Sequence, residues 1–139
     1  MQAHRKLFLA CATALGALAA VPVMAGPYDQ PYSIIQTELT RSADPDVIPV
    51  TINRVDDVTI RSRPNDAVIP PGPHKVTVDV PPRKGFRLPT QETFDLVTEP
   101  CVRYYVSAKL ANRTTQAWEP FVRTQERIGE CEKKFALAR

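Results

Sequence analysis

"IPPGPHKVTVDV", Ile69 to Val80, is the stretch whose reading decides the fold. Pro70, Pro71 and Pro73 flank Gly72, a combination that excludes a helix interior and favours a rigid turn. Beyond it, Val76, Val78 and Val80 alternate with Lys75, Thr77 and Asp79. A period of two places the valines on one face and the polar residues on the other, the pattern of a half-buried strand. His74 stands at the start of that strand, where a turn or edge side chain is ordinary.

The same period recurs downstream. "TFDLV", Thr93 to Val97, puts Phe94 and Leu96 together. "CVRYYVSAKL", Cys101 to Leu110, puts Val102, Tyr104, Val106, Ala108 and Leu110 on one side. Tyr104 and Tyr105 are adjacent in that strand and must face opposite ways. Upstream, "SIIQTELT", "VTINRVDD" and "VTIRS" read as further short strands, while "RSADPDVIP" and "RPNDA" (Arg63 to Ala67) read as turns or loops. Six to eight short strands separated by Pro, Gly and Asp turns predict an all-β chain, a small antiparallel β-sandwich. No βαβ pattern and no internal repeat is visible. The tail, "ERIGECEKKFALAR", ends in a short helix or frays, and Gly129 argues against a long helix.

The chain begins like an exported protein. Arg5 and Lys6 precede an uncharged apolar run from Leu7 to Val21, and "VMA" (Val23 to Ala25) supplies a cleavage step. That run has 15 residues, short of the roughly 20 that span a bilayer. Cleavage after Ala25 is expected. Cys11 loosely matches a lipidation site, but the apolar stretch before it is too short for one. Residues 26–139 then form a single domain of 114 residues, enough for one modest core. Its lead, Gly26 to Tyr32, reads as flexible or late to order.

The net charge of +3 is misleading. Without Arg5 and Lys6 the chain carries 16 basic and 15 acidic residues. No basic stripe with interleaved aromatics suggests nucleic acid. "PPRKGFR", Pro81 to Arg87, reads as a solvated loop.

Two cysteines remain after the leader, Cys101 and Cys131. In an exported chain the simplest outcome is one disulfide. "ANRTTQ", Ala111 to Gln116, is turn-like and lies midway between them. A hairpin about that turn brings the cysteines together at its open end. Closing such a loop is worth roughly 3–4 kcal/mol. Two cysteines with one distant histidine do not make a zinc site, and no Cys-x-x-Cys spacing suggests thiol exchange.

Little else carries chemistry. His74 is a weak catalytic candidate, because Ser33, Ser42, Ser62 and Ser107 stand in no nucleophile motif. Asp44, Asp46, Asp56, Asp57 and Asp66 fall in expected loops but follow no calcium-loop pattern. No metal and no cofactor is expected. "NRT" at Asn112 matches a glycosylation acceptor, a chance match in a chain of bacterial character. Tyr105, Trp118 and Phe121 form a candidate binding patch, with packing of Trp118, Phe121 and Tyr104 on the sheet face near the disulfide as the alternative.

One resemblance rests on "INRVDD…VIPPGPHKVTVDV…GF", residues 50–86. Val55-Asp56-Asp57, Pro71-Gly72-Pro73-His74, the three valines and Gly85-Phe86 resemble the PEGA modules of bacterial envelope proteins. Asp57 stands where those modules carry glycine. The C-terminal part is similar to small exported proteins of Gram-negative bacteria. The resemblance implies a β-sandwich and a packing or turn role for His74. It carries over no activity, since fold alone does not establish function.

The reading that follows is a non-catalytic cell-envelope protein, periplasmic or secreted and in one version associated with the outer membrane. It would bind another envelope protein or a peptidoglycan component through an exposed sheet edge or an aromatic patch. The alternative is a small periplasmic ligand-binding protein or hydrolase. A pocket joining His74 to a loop aspartate favours the alternative, and a filled core favours the first.

Overall fold

The computed structural model describes residues 25–38, 42–61, 65–81, 91–111 and 117–137. Nine strands and one helix occur among them. They are β1 (Ser33–Thr37), β2 (Val47–Pro49), β3 (Thr51–Val55), β4 (Val58–Thr59), β5 (Asp66–Ile69), β6 (Gly72–Asp79), β7 (Gln91–Thr98), β8 (Val102–Leu110), β9 (Trp118–Arg127) and α1 (Gly129–Lys134). They form two packed sheets.

The first sheet is built around β8. β9 pairs with one edge along the whole strand. β1 and β2 share the other edge in succession. β5 continues the sheet beyond β1. The second sheet runs β4-β3-β6-β7. All pairings are antiparallel except β1 with β8, which is parallel.

The alternation read from the sequence is the packing pattern. Val76, Val78 and Val80 are buried between the sheets, joined by Ile35, Ile52 and Val106. Burying each such aliphatic side chain contributes about 1.5–3 kcal/mol. Lys75 faces out and Thr77 and Asp79 are half-buried on the same outer side. Tyr104 is buried and Tyr105 half-buried, on opposite faces.

Three local expectations differ from the structure. Val47–Pro49 and Asp66–Ile69 are strands, not loops. Their turn-forming neighbours dominate the local signal, but Ile48 and Ala67 enter the core and β8 and β1 supply ladder partners. Asp66 therefore lies in a strand. Cys131 lies in α1, not on the returning strand.

The disulfide between Cys101 and Cys131 closes the open end of the β8–β9 hairpin, with Cα atoms 5.3 Å apart. Around it lies a second, smaller cluster on the outer face of the first sheet. Tyr32 and Ile34 pack there with the two cysteines, with Phe135 of the α1 end half-buried against them. The expectation of one core thus needs a satellite. The lead takes part in it: Cys101 N donates to Tyr32 O at 2.7 Å, and Tyr28 meets Tyr32 edge-on at 5.0 Å. No described helix is long and apolar enough to cross a membrane. The expected leader, the turn at Ala111 to Gln116 beyond its first residue, Asn112, Gly85-Phe86 and most of the basic run after Pro81 lie outside the described residues.

Candidate functional site

Two of the four passages between the sheets occur together at one end of the sandwich. The chain leaves β5 for β6 through Pro70-Pro71, and leaves β7 for β8 through Glu99 to Cys101. Gly72 opposes Thr98 there. Thr98 Oγ1 accepts from Gly72 N at 3.2 Å, and Ser33 Oγ donates to Glu99 O at 2.7 Å. Glu99 N in turn donates to the Tyr104 hydroxyl at 2.7 Å.

His74 belongs to this polar seam. It is only 8% exposed. Its Nδ1 meets Asp56 Oδ2 at 2.9 Å and its Nε2 meets Pro70 O at 2.8 Å. Both partners are acceptors, so the ring serves both only when each nitrogen carries a proton. In either form, neither nitrogen is open to a substrate. A general base needs a reachable proton and a lone pair to take it. His74 offers a turn fastening instead.

Asp56 is the other half of the fastening. It occupies the two-residue turn between β3 and β4 with φ +51. Asp and Asn tolerate this left-handed region better than most residues. Asp57 does not have positive φ, so a glycine at that position is not what this turn requires. Asp56 N donates to Lys75 O at 2.7 Å, and Lys75 N returns a bond to Asp56 Oδ1 at 2.9 Å. The His74 bond first, then the Lys75 N–H, hold the Asp56 carboxyl below its ordinary value of 3.8. Hydrogen bonds to a carboxylate favour its charged form. The side chain is half exposed, so the stabilisation is modest.

Beside this turn lies an open hollow of about 470 Å³. Three carboxylates line it, from Asp56, Asp57 and Asp95. Among the described residues Lys75 supplies the one lining lysine or arginine, and it sits 3.0 Å from Asp95. Pro73, Leu96 and Val97 form an apolar wall. Among the described residues no serine, threonine or cysteine lines it. The pocket thus joins His74 to loop aspartates, as the ligand-binding alternative requires. No described cluster of three His, Cys, Asp or Glu is set to hold a metal ion.

Val97 connects this hollow to the edge of the second sheet. It belongs to β7 and is 72% exposed. β7 pairs with β6 through eight unbroken positions. Among the described residues no ladder forms on its other side. Gln91–Thr98 contains no proline, lysine or arginine. β9, the corresponding edge of the first sheet, is different. It carries Pro120, which has no N–H, and a bulge opposite Tyr105/Val106. Its Arg123 is tied to Glu38 at 2.8 Å. Prolines, bulges and charges are how edge strands resist further pairing.

The three aromatics of the candidate patch do not share a face. Trp118 opposes Leu110 and is buried in the core at 4% exposure. Phe121 opposes Ser107 on the outer face, where Tyr105 also lies. Both are half-buried, and the Tyr105 hydroxyl donates to Glu126 at 2.9 Å. Trp118 therefore leaves the surface set. Of the five acids expected in loops, only Asp56 and Asp57 share the hollow. Asp44 accepts from Asp46 N at 2.9 Å in its own turn, and Asp66 opposes Gln36 in a strand.

The β7 edge was not singled out in the sequence, although an exposed sheet edge was expected in general. Its alternation was legible. What it lacked was a sign that no neighbour follows. No family model, no curated protein and no solved structure matches this chain.

Proposed function

We propose that this chain is a non-catalytic envelope protein that holds a partner polypeptide by adding its strand to β7. The observation that carries the reading is the regular β7 edge, which has no second ladder partner among the described residues, set against the edge of β9 with its proline and bulge. Strand addition draws affinity from main-chain hydrogen bonds and specificity from alternate side chains. Glu92 and Asp95 are the charges of β7, and Phe94 and Leu96 are half-buried on its inner side. A partner strand that alternates apolar and basic residues fits this edge. The carboxylates of the hollow extend the same preference beyond Val97. Strand addition needs a polypeptide, so an envelope protein suits the edge better than a cell-wall glycan. The leader-like residues 1–25 and the buried disulfide support an oxidising compartment, periplasmic or secreted. The PEGA-like run, which spans β3 to β6, supports an envelope setting.

The hollow favours a second reading, a small ligand-binding protein that takes an aliphatic amine among Asp56, Asp57 and Asp95. A photo-crosslinking residue at Val97 separates the two. Capture of a defined polypeptide from envelope extract, reduced at least tenfold by Thr93→Pro, supports strand addition. No capture from Val97, together with saturable binding of a short alkylamine lost in Asp57→Asn, supports the second reading and removes the first.

A further inference from the structure

We infer that processing after Ala25 creates a charged N-terminus for which Asp29 is the built receptor. The inference rests on the export reading. Gly26 N already donates to Asp29 Oδ2 at 2.6 Å. Asp29 N donates back to Gly26 O at 3.0 Å, closing the turn. A Cβ on residue 26 would stand 3.3 Å from that carboxylate oxygen, tighter than ordinary contact. Glycine therefore allows the closest approach. The turn is anchored beyond itself. Lys134 Nζ at the end of α1 donates to Tyr28 O at 2.6 Å. Tyr28 packs on Tyr32, whose carbonyl accepts from Cys101 N. The segment that follows the cleavage point is thus fastened to the disulfide and the C-terminal helix.

The chemistry is a hydrolysis. Water adds across the Ala25–Gly26 amide, Ala25 leaves as a carboxylate, and the Gly26 nitrogen becomes an ammonium. Before cleavage that nitrogen is a neutral donor to Asp29. Afterwards donor and acceptor carry opposite charges, which adds a direct Coulombic attraction to a bond whose acceptor was already ionised. An opposite charge at this distance favours the protonated amine. Cleavage therefore strengthens a contact that the fold has already shaped, and the mature N-terminus stays docked.

The test uses the exported chain. Its intact mass gives the first residue. The α-amine is then titrated by the pH dependence of its acylation, in wild type and in Asp29→Asn. Asp29 is exposed, so the variant should melt within a few degrees of wild type. The expected results are a chain that starts at Gly26 and an amine titrating about half a unit or more above the ordinary 7.7–8.0, with the rise lost in Asp29→Asn. An equal titration in both proteins overturns the capture while leaving export intact. A mature chain that starts elsewhere does the same. A full-length mass overturns the export reading itself.

Discussion

The two sheets are fastened at the same end by different means. On the first sheet the fastening is covalent: Cys101 and Cys131 are buried under Tyr32 and α1. On the second it is polar: His74 and Asp56 join the β3–β4 turn to β6 and to the Pro70 carbonyl. The covalent fastening is closed to solvent and does not titrate. The polar one borders an open hollow and depends on a carboxylate. The side with the weaker, titratable fastening is also the side where β7 has no second ladder partner among the described residues.

The largest effect should come from breaking the covalent side. Cys101→Ser with Cys131→Ser removes a loop closure across a sequence separation of 30. The expected loss is about 3–4 kcal/mol, read by denaturant unfolding, with a matching drop when the wild type is reduced. A double variant as stable as wild type would mean that the satellite cluster holds this end without the bond.

Next comes the buried ring. His74→Leu keeps the volume near that of imidazole but strips both hydrogen bonds. Leaving the Pro70 carbonyl short of a partner costs about 1–3 kcal/mol. The melting temperature should fall, while β7-edge capture by Val97 crosslinking should survive. Loss of capture with little loss of stability would return His74 to a binding role.

Asp56 sharpens the comparison through pH. Its carboxyl titrates lower in the folded chain than in the unfolded one. Its contribution is therefore fully present above the unfolded value and disappears as pH falls through the folded value. Asp56→Asn keeps a residue that tolerates φ +51 and removes the charge. The stability gap between wild type and variant should be steady near pH 5 and should shrink below about pH 4. The disulfide double variant should show no such narrowing. A gap unchanged down to pH 2 would sink the charge argument for the turn.

The smallest effect on stability is expected at Val97. Val97→Lys changes an exposed side chain and should alter stability by under about 0.5 kcal/mol. It also places a lysine on the bare edge, a device that natural edges use against pairing. Partner capture through a crosslinker placed at Thr93 in the same chain should fall at least tenfold. Undiminished capture would mean that the partner does not add a strand to β7.

Much of the fold was legible in residue order because strand faces are a local property. Val76, Val78 and Val80 announced a buried face, and Tyr104 and Tyr105 announced opposite ones. The hairpin that joins Cys101 to Cys131 followed from a turn midway between two strands. The strands missed were β2 and β5, three and four residues long. In such short elements Pro, Asn and Asp neighbours outweigh one buried side chain, and only a ladder partner reveals the strand. The aromatic patch failed for a related reason. Tyr105, Trp118 and Phe121 are near one another in the hairpin, but Trp118 opposes Leu110 while Phe121 opposes Ser107, and that opposite parity puts Trp118 on the other side of the sheet.

By itself, the sequence determined which residues alternate, where turns interrupt them, and that two cysteines would meet. Those features depend on neighbours along the chain. The parallel pairing of β1 with β8, the His74–Asp56 fastening and the bare β7 edge were decided only in three dimensions. Each depends on residues 18 or more apart in sequence or on the absence of a described neighbour. Periodicity records which way a side chain points, but not what meets it when the sheets close.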